Sequence, residues 1–513
     1  MGTNGVVIGG LLYNVIIIIA VSIYLKQRDK KAGLETEMML SGRRLHWFPV
    51  AAAVSLTALG GGHINGLAIW SWDQGVAAFA FGIGCGVSMI INLRYVGVWF
   101  RRFGATTIND MFGKLFNIPK IIPILAAMSV VYCWLVLNIE TQGMASIVTA
   151  LVGIPNFWAG VICGAIGIAY VFIAGMDEIG YAGIVNSALM YIVMIIALVM
   201  AGGLIPGGWG TVNQSLLSTN PELVHALANP YIFQAYAIGA FLAAFLGMAM
   251  VQGNNQGALS VQKVSVLKKA CVWAIPMNVL FCTLCISLAL AARTLYSVED
   301  MLAMGLPPIG SYGMLVMIVS YFPGWLQVAL IGVFLSAMLT TFGILSLALV
   351  TVFSKDLLGG FPFFQNMSLR KEKGVLRVLL VVICGSAAFT ASLIEANTAM
   401  ALTWGMAWNI PMFAMFIIGL HWKRSRVACL VTLVFCWILN ILLTFTPLRE
   451  VVGLEGNTFA IFMAVASAVL GVILTALDRN AKVSIKKMYK AQRAAFDESR
   501  AARRAGTNAS VAQ

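Results

Sequence analysis

The stretch Ser55-Leu-Thr-Ala-Leu-Gly-Gly-Gly-His-Ile-Asn-Gly-Leu-Ala68 interrupts an apolar segment that covers residues 47–70. This segment is long enough to cross a bilayer, because about 20 helical residues span the ~30 Å hydrocarbon core. Three consecutive glycines form poor helix, and lipid tolerates a break only inside protein or beside a wet cavity. Close helix packing would explain the glycines, but not the polar His63 and Asn65 at the same depth. We interpret residues 56–66 as half of a binding site at the middle of the membrane.

The composition is that of a membrane protein. Of the 513 residues, 60% are hydrophobic and 10% are charged, and the mean hydropathy is +0.91. A soluble globular domain does not sustain such values over this length, so we predict an all-α polytopic membrane protein with about 13 transmembrane helices. The apolar segments lie roughly at 4–25, 47–70, 76–100, 121–150, 157–175, 184–208, 231–253, 270–292, 326–353, 376–395, 400–422, 427–446 and 457–477. The first lacks a basic start and a cleavage site, which favours a retained helix over a signal peptide.

The net charge of +14 is distributed unevenly along the chain. When the loops alternate sides from an outside N-terminus, 31 of the 33 Lys and Arg residues fall on one side, and only Arg293 and Arg449 fall on the other. The positive-inside rule therefore predicts an outside N-terminus and an inside C-terminus. This distribution argues against nucleic acid as a partner. The basic tail, residues 478–513, has few apolar residues to bury, which predicts a solvated helix that frays.

A second interruption, Val251-Gln-Gly-Asn-Asn-Gln-Gly257, lies five spans after the first. In a chain of alternating direction, a segment five spans later has the opposite orientation. Spans two to six and seven to eleven therefore have the spacing of an inverted repeat, and matching interruptions indicate a transporter site between the two halves. For residues 254–256 alone, a frayed helix end that faces the cytoplasm is an open alternative.

On this interpretation the chain has several distinct parts. They are an extra N-terminal span with a basic cytoplasmic loop (1–46), the first five-helix repeat (47–208), an outer loop (209–230), the second five-helix repeat (231–422), two additional spans (423–477) and a basic cytoplasmic tail (478–513). All nine cysteines lie within or at the ends of spans without CxxC spacing, which predicts core residues and no disulfide or metal framework. Because the sequence offers no convergent nucleophile and base and no set of metal ligands, we do not expect an enzyme.

Two adjacent threonines, Thr340 and Thr341, lie at mid-depth in the ninth predicted span. Hydroxyls inside spanning helices usually bond back to a carbonyl one turn earlier. Alternatively, two hydroxyls about 100° apart on a helix can face one cleft. Free carbonyls from a broken helix would then complete an all-oxygen cage for a hard cation. The sequence leaves both interpretations open.

The fourth predicted span carries a carboxyl group, Glu140, at membrane depth. An ionised and unpaired carboxylate is costly there, so the group must be neutral, paired or in contact with a wet cavity. Its polar neighbours in sequence, Asn138 and Gln142, cannot neutralise it. A protonated structural acid and a proton relay through Glu140 or His63 are both open alternatives.

Several motifs together resemble the sodium/solute symporter family over about residues 5 to 478. They are Ser41-Gly42-Arg43, the glycine-rich break, Thr340-Thr341 followed by Ser354-Lys355-Asp356, and Gly419-Leu420-His421-Trp422-Lys423-Arg424. The resemblance implies the leucine-transporter (LeuT) type of fold, a five-plus-five inverted repeat with discontinuous helices. Within the family, the break is similar to that of the high-affinity choline transporters, which also reads Gly-Gly-Gly, aromatic, Ile-Asn-Gly.

The resemblance also implies a sodium site. By position, its ligands are the backbone carbonyls of Leu56, Leu59 and Ala337 and the hydroxyls of Thr340 and Thr341. Where the family usually has Thr-Asp at the start of the sixth span, this chain has Val185-Asn186, which weakens the case for a second sodium site.

The pocket departs from the choline transporters at the positions of their cage aromatics. This chain has Ala58, Cys85 and Val251 at three of them and retains Trp134 and Trp404. A quaternary ammonium needs several aromatic faces within about 6 Å, so the remaining set does not favour choline.

We therefore expect a sodium-coupled secondary symporter that imports a small neutral or zwitterionic polar solute by alternating access. The predicted solute-binding residues are Ala58, His63, Cys85, Trp134, Val251, Gln252, Asn254, Asn255 and Trp404. Glu140 and Asn186 are predicted to transfer protons or to gate. The alternatives are a proton-coupled transporter that uses Glu140 or His63, and a membrane protein that senses the solute. The expected partners are the solute, sodium and the lipid of the plasma or inner membrane, with no cofactor besides Na+.

Overall fold

The computed structural model describes most of the chain and is almost entirely helical. The described residues are 2–32, 46–57, 60–173, 176–225, 229–259, 261, 263–365, 367, 369–393, 398–454 and 456–490. The helices before residue 220 are α1 (Thr3–Ala32), α2 (Trp47–Thr57), α3 (Gly61–Gln74), α4 (Ala78–Met89), α5 (Gly97–Arg102), α6 (Ile108–Phe116), α7 (Ile122–Val152), α8 (Asn156–Ile173), α9 (Met176–Leu204) and α10 (Val212–Thr219). A π-helical turn, Ile90–Val96, joins α4 to α5, and 3-10 turns lie at Gly75–Ala77, Pro119–Ile121, Trp209–Thr211 and Pro221–Leu223.

The second half repeats this arrangement and ends in two further long helices. Its first helix is irregular and consists of α11 (Pro230–Ile232), a π-helical turn Phe233–Gly239, α12 (Ala240–Leu242), a π-helical turn Ala243–Gly247 and a 3-10 turn Met248–Met250. It is followed by α13 (Gln252–Leu259), α14 (Val264–Leu295), α15 (Val298–Ala303), α16 (Gly310–Tyr321), α17 (Gly324–Val352) with a π-helical end Phe353–Leu358, α18 (Pro362–Gln365), α19 (Leu369–Leu393), α20 (Thr398–His421), α21 (Arg426–Phe445), α22 (Leu448–Val451) and α23 (Thr458–Leu477). Two short strands, β1 (Lys423–Arg424) and β2 (Lys482–Val483), pair in antiparallel fashion.

Corresponding helices of the two halves pack against each other. Helix α4 contacts α14, α7 contacts α17, and α8 contacts α19. Within the halves, α3 packs on α7 as α13 packs on α17. A twofold relation produces this pattern, because equivalent elements meet across the axis. The predicted inverted repeat is confirmed.

Both predicted interruptions are present, and the second lies at the first residue of the predicted segment 251–257. Helix α2 ends at Thr57 and α3 begins after Gly60, which is extended at φ −69° and ψ −168°. Residues 58 and 59, which belong to this break, lie outside the described residues. In the second half the chain is extended at Val251, with φ −75° and ψ 124°. The amide-rich residues 252–257 belong to α13, so they are neither the break nor a frayed helix end.

The asparagines of α13 explain why the second break is stable. The side-chain amide of Asn254 donates to the carbonyl of Met248 at 3.2 Å, and that of Asn255 donates to the carbonyl of Ala249 at 3.0 Å. Both carbonyls lie in the turn that precedes the extended residue, and that of Met248 also accepts from the N–H of Val251 at 3.4 Å. Unpaired carbonyls are costly away from water, so the asparagines stabilise the break from the helix that follows it.

The helices form a multi-pass membrane protein with α17 near its centre. Every residue of 330–352 is buried. Among the described residues, eleven helices are long and apolar enough to cross a membrane. Of the other predicted spans, 157–175 is the shorter helix α8, and 47–70 is divided by its break. The number of crossings and their orientation remain predictions.

The beginning of the tail is helical at residues 485–490, as expected, but it is docked on the protein and not solvated. Strand β2 pairs with β1, and Arg424 Nε donates to the carbonyl of Val483 at 2.7 Å. Ile485 is 1% exposed, and the ring of Tyr489 packs edge-on against Trp99 at 5.5 Å between centroids. Two apolar side chains and the strand pairing therefore dock residues 482–490 on the protein. Residues 491–513 lie outside the described part.

One acidic group lies between the docked segment and the hairpin of α20 and α21. Asp478 accepts a hydrogen bond from Ser425 Oγ at 2.5 Å and another from the backbone N–H of Asn480 at 2.8 Å. Both bonds favour the ionised form, so they lower the pKa of Asp478 below its usual value.

Candidate functional site

A small cavity lies between the two broken helices. Its volume is about 20 Å³, which is room for roughly one water molecule. It is lined by His63, Tyr132, Val136, Glu140, Met248, Val251, Asn254, Thr341, Leu345, Leu402 and Met406. The lining thus combines residues next to both breaks with residues of α7, α17 and α20. Five of the predicted site residues, His63, Glu140, Val251, Asn254 and Thr341, meet here.

Glu140 has a partner that the sequence did not reveal. Its side chain is 1% exposed, and its Oε2 accepts a hydrogen bond of 2.5 Å from the backbone N–H of Gly61, the first residue of α3. The N-terminus of a helix carries partial positive charge and free N–H donors, so it stabilises a carboxylate placed there. The sequence neighbour Asn138 instead points away from the cavity and donates to Thr390 Oγ1 at 2.9 Å.

The glycines of the first break make room for this carboxylate. A Cβ on Gly60 would overlap both carboxylate oxygens of Glu140. A Cβ on Gly61 would lie 3.2 Å from Oε2 of Glu140 and 3.3 Å from the Cα of Gly143 on α7. The glycine run is therefore required by a close approach between α3 and α7 with a carboxyl group between them.

His63 is the second ionisable group of the cavity. It is 4% exposed and its ring lies 5.5 Å from that of Phe81. Its Nε2 has no hydrogen-bond partner among the described residues. A buried imidazole nitrogen without a partner is costly, which makes His63 a candidate for contact with a ligand.

The predicted sodium ligands lie partly in the described region. Helix α2, which contains Leu56, packs against α17, which carries Ala337, Thr340 and Thr341. Leu59 lies outside the described residues. Thr341 Oγ1 donates to the carbonyl of Ala337 at 3.0 Å, which is the bond back to the preceding turn that threonines in spans usually make. A hydroxyl that donates its proton in this way still has lone pairs to offer a cation.

Thr340 differs from its neighbour. It is fully buried, and its hydroxyl lies beside that of Tyr170 on α8. Thr341 lines the central cavity, whereas Thr340 is not among its lining residues.

Several predicted solute-binding residues do not line the cavity. Cys85 is buried in α4, Asn255 bonds to the carbonyls of Ala249 and Val251, and Trp134 Nε1 donates to Ser386 Oγ on α19 at 3.0 Å. Trp404 faces two other aromatic rings, those of Trp408 and Phe445. Asn186, a predicted gating residue, accepts a hydrogen bond of 2.7 Å from Tyr13 of α1. Ala58 lies outside the described residues.

Gln252 is held by a neighbouring helix. Its Oε1 accepts from the N–H of Ile108 at 2.8 Å, and its Nε2 donates to the carbonyl of Thr106 at 3.4 Å. Gln252 therefore satisfies the start of α6 and turns away from the cavity, although it follows the break directly. Gln252 points away because it lies on the side of α13 that faces α6. The sequence alone does not specify which side of α13 faces the cavity.

The start of α6 is also bound to the end of α17. Asp356 accepts hydrogen bonds from Thr107 Oγ1 and from Asn109 Nδ2, both at 2.8 Å, and all three side chains are buried. Thr107 also caps α6 by accepting from the N–H of Asp110. The Thr-x-x-Asp pattern at residues 107–110 is the sequence signal for this cap. Helix α6 thus links α13 to α17 at one end of the molecule.

Comparison with known proteins relates this architecture to solute transporters. A sequence model of the sodium:solute symporter family matches residues 38–428. The Mus musculus protein solute carrier family 5 member 4A is 22% identical over 292 residues, which is 52% of this chain and 44% of that protein. The matched part therefore spans less than half of that relative.

Two solved structures share the fold. The outward-open, substrate-bound structure of a Na+-coupled sialic acid symporter has a TM-score of 0.74 at 13% identity and covers 94% of this chain and 99% of that one. The structure of MhsT in complex with L-phenylalanine has a TM-score of 0.53 at 15% identity and covers 84% of this chain and 98% of that one. These similarities show the fold, which is the expected LeuT type. From the match over residues 38–428, we conclude that the chain belongs to the sodium:solute symporter family.

Proposed function

We propose that this protein is a sodium-coupled symporter that imports a small polar solute by alternating access, with the solute bound between the two broken helices. The observation that carries the proposal is the cavity itself. It joins His63 after the first break to Val251 and Asn254 at the second, and it includes Thr341 of α17. Such a site couples movements of the two repeats to the occupancy of one pocket.

The proposed sodium site is formed by the end of α2 and by α17. Its oxygen atoms would come from the carbonyls of Leu56, Leu59 and Ala337 and from the hydroxyls of Thr340 and Thr341. A hard cation prefers such a set of oxygens. Because α17 supplies Thr341 to the solute cavity as well, sodium bound there would tighten the solute site, and linkage makes the effect mutual.

The solute is proposed from the chemistry of the lining. Among the described residues that line the cavity, His63, Tyr132, Glu140, Asn254 and Thr341 offer hydrogen-bonding groups, and none is Lys or Arg. This set favours a polar solute without a large negative charge. At about 20 Å³ the cavity is too small for an organic molecule. The solute must therefore bind to another conformation of the protein in which the cavity is larger, as alternating access requires.

Uptake into proteoliposomes tests this function. Purified protein is reconstituted and given an inward sodium gradient or a matched potassium gradient. The labelled panel contains neutral, zwitterionic, cationic and carboxylate-bearing solutes. We expect at least one solute to accumulate only with the sodium gradient, in the wild type and in the control variant Thr351→Ala. Thr351 is a suitable control because it is buried on α17, the helix that carries Thr341, and its hydroxyl likewise donates to a carbonyl in the preceding turn, that of Leu347 at 2.7 Å. Absence of sodium-driven uptake across the panel would contradict the proposal.

Proton coupling is a second candidate, because Glu140 and His63 line the same cavity. An inward proton gradient in the absence of sodium separates the two. Accumulation under that gradient, lost in Glu140→Gln, would favour proton coupling over sodium coupling.

A further inference from the structure

The N-terminus of α3 is the natural place in this fold for a negatively charged group of a solute. Helix α3 has 14 residues, and its axis begins at the first break beside the cavity. The N–H groups of His63 and Ile64 bond to the carbonyl of Gly60 at 2.9 and 3.0 Å, so the free donors are those of the preceding residues. Half-helix N-termini at such breaks attract anionic groups of transported molecules.

In this chain a carboxyl group of the protein already occupies that place. Oε2 of Glu140 accepts from the N–H of Gly61 at 2.5 Å, and the side chain is 1% exposed. A single Cβ added at Gly60 would overlap the carboxylate, and Gly143 closes the other side, since its own Cβ would lie 2.9 Å from the Cα of Gly61. The helix end therefore has no space for a second carboxylate next to Glu140.

As far as the structure describes it, the part of the cavity next to Glu140 also contains a histidine nitrogen without a hydrogen-bond partner and has no lysine or arginine side chain. His63 Nε2 is buried without a hydrogen-bond partner in the described part of the chain, and it lines the cavity together with Glu140. Among the described lining residues there is no Lys or Arg that could balance another anion. The carboxyl oxygens of Glu140, and His63 Nε2 in the tautomer that leaves it unprotonated, accept hydrogen bonds, so a ligand that offers N–H or O–H donors complements them.

We propose that Glu140 is a built-in occupant of the anion site at the N-terminus of α3, and that it restricts the solute to molecules that offer N–H or O–H donors and carry no carboxylate. This inference rests on the proposed function. Amines, amides, nitrogen heterocycles with N–H groups and polyols belong to the favoured class, and α-amino acids do not. A carboxylated analogue would place its own acceptor oxygens against those of Glu140, so it should bind about tenfold more weakly or worse.

The first experiment tests the position of Glu140 and needs no transported solute. Glu140→Ala vacates the helix end, so a small carboxylate such as formate should take its place. We expect 100 mM sodium formate, compared with 100 mM sodium chloride, to raise the melting temperature of Glu140→Ala by about 2–4 °C. The wild type and the control Asn138→Ala should not respond. Asn138 is a matched control because it is buried on the same helix but bonds to Thr390, outside the cavity.

The result that overturns the assignment is equal stabilisation by formate of the wild type and Glu140→Ala, or no stabilisation of that variant. If Glu140→Ala does not fold, Glu140→Gln decides, because it keeps the shape and removes the charge. We then expect a melting temperature several degrees below that of the wild type, and equality with the wild type would refute a carboxylate bound to the helix end.

The second experiment tests the solute class with the uptake panel described above. We expect the sodium-driven solute to carry N–H or O–H donors and no carboxylate, and uptake of a carboxylated solute would overturn the restriction. If no solute in the panel is transported, the proposed function fails, whereas the formate result still decides the role of Glu140. The two failures are therefore distinguishable.

Discussion

The substitution Gly60→Ala tests the close approach between the first break and α7. Gly60 has φ −69° and ψ −168°, a conformation that alanine adopts without strain, so the backbone gives no reason for glycine here. The reason is space, because the new Cβ would overlap the carboxylate of Glu140. Overpacking costs about 1–3 kcal/mol, and displacement of the carboxylate from Gly61 loses a charge-assisted hydrogen bond of about 1.5–3 kcal/mol. We expect a total destabilisation of about 3 kcal/mol.

Thermal unfolding of the purified variants measures this effect. The control is Gly385→Ala on α19, where the nearest atom to an added Cβ is Ile168 Cδ1 at 4.0 Å. Alanine inside a helix should leave that variant unchanged or stabilise it by about 0.5–1 kcal/mol. In the double variant Gly60→Ala/Glu140→Ala, the added methyl group no longer meets a carboxylate. The destabilisation of this double variant should fall short of the sum of the two single effects by about 1 kcal/mol or more. Equal melting temperatures for Gly60→Ala and Gly385→Ala, or strict additivity in the double variant, would refute the reasoning.

Three further predictions concern the solute, the start of α6 and the tail. His63→Ala and Asn254→Ala should each raise the half-saturation concentration for the transported solute about tenfold or more, because polar groups left unpaired on burial cost about 1–3 kcal/mol. The sodium requirement should be retained. An unchanged half-saturation concentration in both variants would show that these residues do not bind the solute. Asp356→Ala leaves the buried Thr107 and Asn109 without their acceptor and should lower stability by about 2–4 kcal/mol, whereas Asp110→Ala, which removes an exposed pair with Lys114, should cost below about 1 kcal/mol. Arg424→Gln should release residues 482–490 and speed limited proteolysis there, because Arg424 bonds to the carbonyls of Val483 and Leu115, while Arg426→Gln should not.

The sequence predicted the breaks better than it predicted their contacts. The first break was identifiable because consecutive glycines are poor helix formers and lie in the middle of an apolar segment. The apolar segments themselves predicted the spanning helices. The second break was predicted over residues 251–257, since Asn, Gln and Gly are poor helix formers. In the structure Val251 is extended, residues 252–257 are helical, and Asn254 and Asn255 donate to carbonyls that precede the break. Such bonds between side chain and backbone are invisible to propensity.

The site residues divide according to the type of information that each needs. His63 and Asn254 line the cavity as expected, because they lie next to the breaks. The partner of Glu140 is a backbone N–H 79 residues away in the sequence. Every residue except proline has such a group, so the sequence does not indicate which one pairs with Glu140. Trp134 and Gln252 depend on the rotation of their helices, and neighbours on α19 and α6 set that rotation.

The central claim of sodium coupling is tested most directly by sodium binding to purified protein. Binding of radiolabelled sodium is measured for the wild type, Thr341→Ala and Thr351→Ala. Thr341 and Thr351 are both buried on α17, and each hydroxyl donates to a carbonyl in the preceding turn. Loss of one of about five oxygen ligands should weaken sodium binding about tenfold or more in Thr341→Ala. Thr351→Ala should bind sodium as the wild type does. Saturable binding in the wild type with this split between the variants is the predicted result, and equal sodium affinity in all three proteins would contradict it.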